Sequence, residues 1–451
     1  MKRISFFVFF SLCIVFSCSS NSDSKIEALP KIQENNFYGD KDFLSAVNKI
    51  LSGEKLSRGK EYYISARALN EGNGSEQSPF KSFSQAFKVL AAGDTLYVKG
   101  GIYREEIIIP ETLKGNSQAY ITIAGDINNS SENPAVISGK GAADNFVLLK
   151  IQGASYIRIS SLQFVDSYGL DAAGIHIEAQ SNHIIIDNCT FKEIKVPQPK
   201  KKDHVANGIL AFGNGGNIKS SINNLLIYNN SFSDMATGWG ECISVTGNCE
   251  FVNIIKNSLD NTGNIGIDVG GNYGYCPDPG LDFARYVYIA GNKVRNCESA
   301  YGDTAYGIYS DGGQHIRILE NEVEHCSGGI EIGAEEAQLS EAYATLDVLV
   351  KNNSVYACKD CALAIGGYEE KRGLVRSVRV INNTFIDNAD KNDGTIISLS
   401  KCDDVTITGN TFAQSNGNYK GEVLYKENFQ KYPKNITIKD NIYKGLESID
   451  E

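Results

Sequence analysis

The stretch that decides the fold is "ILENEV" at residues 318–323, because variants of it recur along the second half of the chain. "LIYNNSF" (226–232), "VINNTF" (380–385) and "ITGNTF" (407–412) share its order: apolar residues, an asparagine, one further residue and another apolar residue. Alternation of apolar residues with a period of two is typical of β-strands, and no helix-length pattern separates the copies. The repeat therefore predicts a succession of short strands.

The asparagines of the repeat predict how these strands stack. They are Asn230, Asn257, Asn292, Asn321, Asn353, Asn383, Asn410 and Asn441. The spacing varies from 27 residues (230 to 257) to 35 residues (257 to 292), the range of a solenoid repeat. Strands that recur once per coil without hairpin turns stack in parallel, as in a β-helix. We expect the asparagines to point inward, bond to one another and have a structural role.

A second row of strands has the form Gly-Ile-x-Ile, as in "GIDVG" at 266–270, "GIYSD" at 307–311 and "GIEIG" at 329–333. The isoleucines face the core, so position x faces out of the sheet. Stacking the copies gives one outward column, which we expect to be unburied: His176, Leu210, Ser244, Asp268, Tyr309, Glu331 and Ala364. Asp311 lies two residues further along, in a neighbouring column. Carboxylates on nearby rungs, about 4.8 Å apart, repel one another unless a cation, a proton or a substrate compensates.

The longest loops of the repeat flank these carboxylates and predict a cleft. They include residues 272–285, 297–305, 334–345 and 366–376. Aromatic rings with a polar group suit a partly wet sugar site. The residues predicted to contact substrate are Trp239, Tyr273, Tyr309, Glu335, Tyr368, Lys371 and Arg372.

The N-terminus indicates export. Lys2 and Arg3 precede a short apolar run that ends at Cys18, and "VFSC" at 15–18 resembles a bacterial lipobox. We expect a signal peptide at 1–17, lipidation of Cys18, an anchored segment at 18–60 and a location in the cell envelope, with the lipid as the only membrane contact. A net charge of −11 disfavours nucleic acid as a partner.

From these repeats the chain resembles the pectate-lyase-like superfamily of right-handed parallel β-helix proteins, many of which are polysaccharide lyases or glycoside hydrolases. Its opening, "YYISARALNEGNGSEQSPFKSFSQAFKVLAAGDTLYVKGGIYREEIII" at 62–109, is also similar to theirs. The resemblance implies an all-β, single-stranded solenoid of about ten coils over residues 61–445. An N-terminal helix, "FSQAFKVLAA" capped by Ser82, would close the end of the core.

Three functions are compatible with this sequence. Two are enzymes that act on a polysaccharide or oligosaccharide, and the third is a non-catalytic protein that binds a glycan or serves as a structural scaffold. The favoured one is a glycoside hydrolase whose acid and base are drawn from Asp268, Asp311 and Glu331. The alternative is a polysaccharide lyase acting on a uronate polymer, in which the same three carboxylates would hold Ca²⁺. The third is a glycan-binding or structural β-helix without catalysis. The sequence leaves the roles of the three carboxylates open.

Overall fold

In the computed structural model, residues 37–450 are described except for 53, 55, 57–58, 127–133, 143–146, 303, 337–342, 369–370, 391–393, 416–418, 420 and 430. The predicted signal peptide and Cys18 lie outside the described residues. Three parallel sheets of 13, 11 and 12 strands wrap around one apolar core, so the predicted all-β, right-handed parallel β-helix is confirmed. Sheet 2 has eleven strands, close to the ten coils expected.

The strands are numbered in chain order. Sheet 1 contains β1 (Glu61–Ile64), β2 (Thr95–Val98), β5 (Ile121–Gly125), β8 (Ser155–Ser160), β11 (Asn182–Asp187), β14 (Ile222–Tyr228), β17 (Cys249–Ile255), β20 (Arg285–Ala290), β23 (Gln314–Leu319), β26 (Thr345–Lys351), β29 (Val375–Ile381), β32 (Cys402–Thr408) and β35 (Lys434–Lys439). Sheet 2 contains β4 (Ile107–Ile109), β7 (Val147–Gln152), β10 (Asp171–Glu178), β13 (Val205–Gly213), β16 (Ile243–Gly247), β19 (Ile267–Gly270), β22 (Tyr306–Asp311), β25 (Gly328–Gly333), β28 (Cys361–Ile365), β31 (Thr395–Leu399) and β34 (Glu422–Lys426).

Sheet 3 contains β3 (Gly101–Tyr103), β6 (Ala135–Ser138), β9 (Gln163–Val165), β12 (Thr190–Lys192), β15 (Ser231–Ser233), β18 (Ser258–Asp260), β21 (Lys293–Arg295), β24 (Glu322–Glu324), β27 (Ser354–Tyr356), β30 (Thr384–Ile386), β33 (Thr411–Ala413) and β36 (Ile442–Lys444). Each regular coil runs from sheet 1 through a sharp bend to sheet 3, and then to sheet 2. The eight asparagines occupy that bend, where the side-chain oxygen of each one after Asn230 accepts bonds from the asparagine of the coil before. The Asn230 oxygen accepts the Cys189 amide instead.

Two helices complete the described structure, together with one 3-10 turn at Ile218–Ser220. Helix α2 (Phe83–Phe87) begins where the sequence predicts, with the Ser82 hydroxyl accepting a bond from the Gln85 amide at 3.3 Å. It is only five residues long, half the predicted length, and it buries Phe83 and Ala86 against the first coils. No described helix is both long enough and apolar enough to cross a lipid bilayer.

Helix α1 (Lys41–Leu51) was not predicted, because the sequence analysis assigned residues 18–60 to an anchored segment. It packs across the outer face of sheet 1, where Phe43, Ala46 and Val47 join a second apolar cluster. Asp40 caps the helix by accepting the Phe43 amide at 2.8 Å, and its other oxygen lies 2.8 Å from His183 Nε2. The end of that segment is therefore part of the folded domain.

Candidate active site

The outward column on sheet 2 has the register that the repeat predicts. Asp268 of β19 pairs with Tyr309 of β22, and Tyr309 pairs with Glu331 of β25. Their neighbours in sequence belong to the core: Ile267, Val269, Ile308, Ile330 and Ile332. Since side chains alternate across a strand, the column faces away from the core, and Asp311 faces the same way two residues beyond Tyr309.

The expectation that this column is unburied was wrong. Asp268, Asp311 and Glu331 are only 8%, 3% and 5% exposed. Loop residues fold over the sheet and cover the carboxylates, although the rings of Tyr273 and Tyr368 are themselves 39% and 43% exposed. The alternation within a strand indicates which face a side chain takes but not what lies above that face.

Asp311 is the carboxylate with the most hydrogen bonds. Its Oδ2 accepts a short bond from the Tyr273 hydroxyl, and its Oδ1 accepts the backbone amide of Glu335 at 2.8 Å. Burial raises its pKa to about 6, while the bonds from Tyr273, the Glu335 amide and Tyr309 act in the opposite direction. Hydrogen bonds to a carboxylate favour its charged form, so these bonds keep the pKa of Asp311 low enough for the group to be ionised at neutral pH.

Glu331 has a different environment. Its Oε1 accepts a bond from the Tyr368 hydroxyl at 2.6 Å. Burial raises its pKa well above the ordinary value, the charges of Glu335 and Asp311 raise it further, and the Tyr368 hydroxyl lowers it. Glu335 also accepts a bond from Tyr309 at 3.4 Å. Glu331 is therefore favoured as a protonated acid.

Asp268 and Glu241 complete the cluster. Asp268 Oδ1 is buried without a hydrogen-bond partner among the described residues, and burial followed by the charge of Glu241 raises its pKa well above the ordinary value. The sequence analysis missed Glu241, whose pKa burial raises to about 7. Glu241 comes immediately before "CISVT" at 242–246, the copy of the Gly-Ile-x-Ile phrase that contains Ser244. That position was an available signal, since a residue at the start of this strand lies beside the outward column of sheet 2.

The remaining predicted residues divide into two groups. Tyr273, Tyr309, Glu335 and Tyr368 lie in the cluster, where their hydroxyls or backbone contact carboxylates. The other three have different contacts: Trp239 stacks on Tyr301 with ring centroids 3.9 Å apart, Arg372 pairs with Glu336, the residue after Glu335, and Lys371 is exposed. All three tyrosines donate hydroxyl hydrogen bonds to carboxylates, and Glu335 donates its backbone amide to Asp311.

The geometry also tests the metal alternatives. Among the described residues, no group of three or more His, Cys, Asp or Glu side chains is arranged to hold a metal ion. The calcium site considered from the sequence for Asp268, Asp311 and Glu331 stays a prediction. Asp311 accepts bonds from the Tyr273 hydroxyl and the Glu335 amide, and Glu331 accepts one from the Tyr368 hydroxyl, whereas Asp268 Oδ1 has no hydrogen-bond partner among the described residues.

The fold places this chain in the class of right-handed parallel β-helix proteins, as the sequence predicted. Within that class, a family model described as "Periplasmic copper-binding protein (NosD)" matches residues 284–450. The uncharacterized protein YwoF of Bacillus subtilis (strain 168) is 28% identical over 395 residues, which cover 81% of this chain and 80% of YwoF.

Two solved structures extend the comparison. The GH136 lacto-N-biosidase from Eubacterium ramulus has a TM-score of 0.55 at 14% identity, covering 89% of this chain and 70% of the enzyme. A mannuronic acid specific polysaccharide family 6 lyase from human gut microbiota has a TM-score of 0.45 at 16% identity, covering 86% and 87% of the two chains. The likeness to the lacto-N-biosidase is one of fold.

Proposed function

We propose that this protein is a glycoside hydrolase that cleaves a neutral glycan, with Asp311 as the ionised carboxylate and Glu331 as the proton donor. The observation that carries the proposal is the contrast between these two buried groups on adjacent strands. Asp311 accepts hydrogen bonds from the Tyr273 hydroxyl and the Glu335 amide and has a pKa of about 6, whereas burial and the charges of Glu335 and Asp311 raise the pKa of Glu331 well above its ordinary value. Pairs of carboxyl groups whose environments separate their pKa values are suited to acid and base roles.

The register of the two strands supports a joint role for Asp311 and Glu331. Asp311 pairs with Gly333, so Glu331 is its diagonal neighbour on the next strand. Diagonal neighbours lie roughly 7–8 Å apart at the backbone. The carboxyl groups themselves lie closer together than the backbones, because the Tyr309 hydroxyl hydrogen-bonds to both of them. Asp311 would activate a water molecule while Glu331 protonates the leaving oxygen, and the water's proton would remain on Asp311.

The charge of the cluster favours hydrolysis of a neutral sugar over elimination from a uronate. The charges of Glu241, Asp311, Glu331 and Glu335 all raise the pKa of Asp268, so an anionic sugar would add repulsion. Of the two basic residues predicted to contact substrate, Arg372 pairs with Glu336 and Lys371 is exposed.

The test is to incubate the protein with neutral oligosaccharides and with uronate polymers and to measure new reducing ends and the ultraviolet absorbance of unsaturated uronate. We expect reducing ends from a neutral glycan only, and Asp311→Asn and Glu331→Gln to lose about 10²-fold or more of that activity. Glu322→Gln, an exposed carboxylate on sheet 3, is the control and should retain full activity. Unsaturated product, or full activity in both site variants, would overturn the proposal.

We also propose that the protein is exported and anchored by a lipid on Cys18. Support comes from the apolar N-terminal run, and the matching family model describes a periplasmic protein. Growth with labelled palmitate should label the full chain and not Cys18→Ser, while Cys13→Ser is the matched control within the same run. Equal labelling of both variants would contradict the assignment.

A further inference from the structure

The loop that follows β19 bends back along the solenoid toward earlier coils. The Cys276 thiol donates to the carbonyl of Gly215 at 3.2 Å, and the Tyr275 ring lies 4.9 Å from the ring of Phe212 on β13. In sheet 2, β16 lies between β13 and β19, so this loop reaches two rungs back. It therefore extends beyond the carboxylates it was predicted to border.

Three aromatic rings form a continuous surface along this loop, which we call the aromatic strip: Phe212, Tyr275 and Tyr273. The centroids of Tyr275 and Tyr273 are 5.7 Å apart, and their planes differ by only 19°. Both rings are substantially exposed, at 44% and 39%. Isolated exposed aromatics are ordinary, whereas a contiguous strip that ends at the hydroxyl bonded to Asp311 indicates a binding surface.

The strip is held in place before any ligand binds. Buried Asp282 accepts the backbone amides of Gly274 at 2.6 Å and Cys276 at 2.9 Å, which fixes the loop on either side of Tyr275. Beneath it, the second outward column contains the small residues Thr246 and Gly270. A side chain at Gly270 would come within 2.9 Å of Asp268 Oδ2, so glycine leaves the sheet surface open there.

We propose that the aromatic strip binds additional sugar rings of the substrate, on the side of the carboxylates that faces the coils of β16 and β13. The rings offer apolar faces in a partly wet setting, which suits the faces of uncharged sugars. Because the strip is fixed in advance, little ordering cost opposes binding. This inference rests on the proposed function and deepens it, since it assigns an oligosaccharide longer than the two units that span the cleaved bond.

The experiment measures binding by calorimetry in a Glu331→Gln background, with neutral gluco-, manno-, galacto- and N-acetylglucosamine disaccharides and hexasaccharides as probes. Phe212→Ala and Tyr275→Ala should each weaken hexasaccharide binding by roughly three- to tenfold and leave disaccharide binding unchanged. Tyr356→Ala is the matched control, because that ring is 42% exposed on sheet 3. Circular dichroism confirms that each variant is folded.

The outcomes separate this inference from hydrolysis itself. Selective weakening of hexasaccharide binding supports the strip even if the wild type cleaves nothing, in which case only the proposed function fails. Equal hexasaccharide affinity in the two strip variants and the Tyr356→Ala control overturns the inference while leaving measured hydrolysis by the wild type intact. If the wild type cleaves no probe and the Glu331→Gln protein binds none, both are overturned.

Discussion

At the scale of single residues, two tyrosine hydroxyls tune the two central carboxylates. Tyr273 donates to Asp311 and Tyr368 donates to Glu331, and both bonds lower the pKa of the acceptor against the opposing effect of burial. Each of the two carboxylates therefore accepts a hydrogen bond from a different tyrosine. Tyr273 and Tyr368 are positioning residues that act through their hydroxyl groups. Their ring faces take no part in these hydrogen bonds.

Tyr273→Phe removes a bond that favours ionised Asp311, so its pKa should rise above about 6. We expect the acid limb of the pH profile of kcat/KM to move to higher pH, with little change at the alkaline limb. Tyr368→Phe should instead raise the pKa of Glu331 and move the alkaline limb upward. Both limbs unmoved in these variants would show that the hydroxyls do not set the ionisation of the site.

At the scale of the repeated element, the asparagine row holds successive coils in register. Asn321 Oδ1 accepts both the backbone amide and the Nδ2 of Asn292, each at 2.9 Å. Its own Nδ2 donates to Ile289 O at 3.0 Å and to Asn353 Oδ1 at 2.9 Å. One buried side chain thus satisfies polar groups in three coils, as the recurring asparagine predicted.

Asn321→Ala should lower the free energy of unfolding by about 2–4 kcal/mol, because it leaves buried donors of Asn292 without an acceptor. Urea unfolding followed by circular dichroism measures the change. Asn70→Ala, at an exposed position near the first coil, is the control and should have little effect. Equal stabilities of the two variants would be evidence against a structural role for the row.

At the scale of the whole molecule, the buried carboxyl groups make stability depend on pH. Their pKa values are raised on folding, to about 6 for Asp311 and about 7 for Glu241, and well above the ordinary value for Asp268 and Glu331. A group with a raised pKa binds more protons in the folded than in the unfolded state between its two pKa values. The stabilisation is thus complete below the unfolded values near pH 4 and lost as pH rises through the folded ones.

We therefore expect the melting temperature to fall as the pH is raised from about 5 to about 8. Asp268→Asn removes one ionisable group from the cluster. It should flatten this dependence and raise stability near pH 8 by on the order of 1–3 kcal/mol. Thermal unfolding across the pH series is the measurement. A wild-type melting temperature that rises between pH 5 and pH 8 would contradict the raised pKa values of the buried carboxyl groups.

Much of the fold and part of the site followed from the sequence. The alternation around Asn321 and the Gly-Ile-x-Ile phrases specified strands, coil register and the shared face of Asp268, Tyr309 and Glu331, because these properties depend on a two-residue period and on vertical stacking. The tertiary structure alone decided that Tyr273 and Tyr368 bury the carboxylates, that Glu241 joins them and that α1 packs on sheet 1. Loops and the helix have no repeat that specifies their direction, so their positions depend on contacts between residues far apart in the chain.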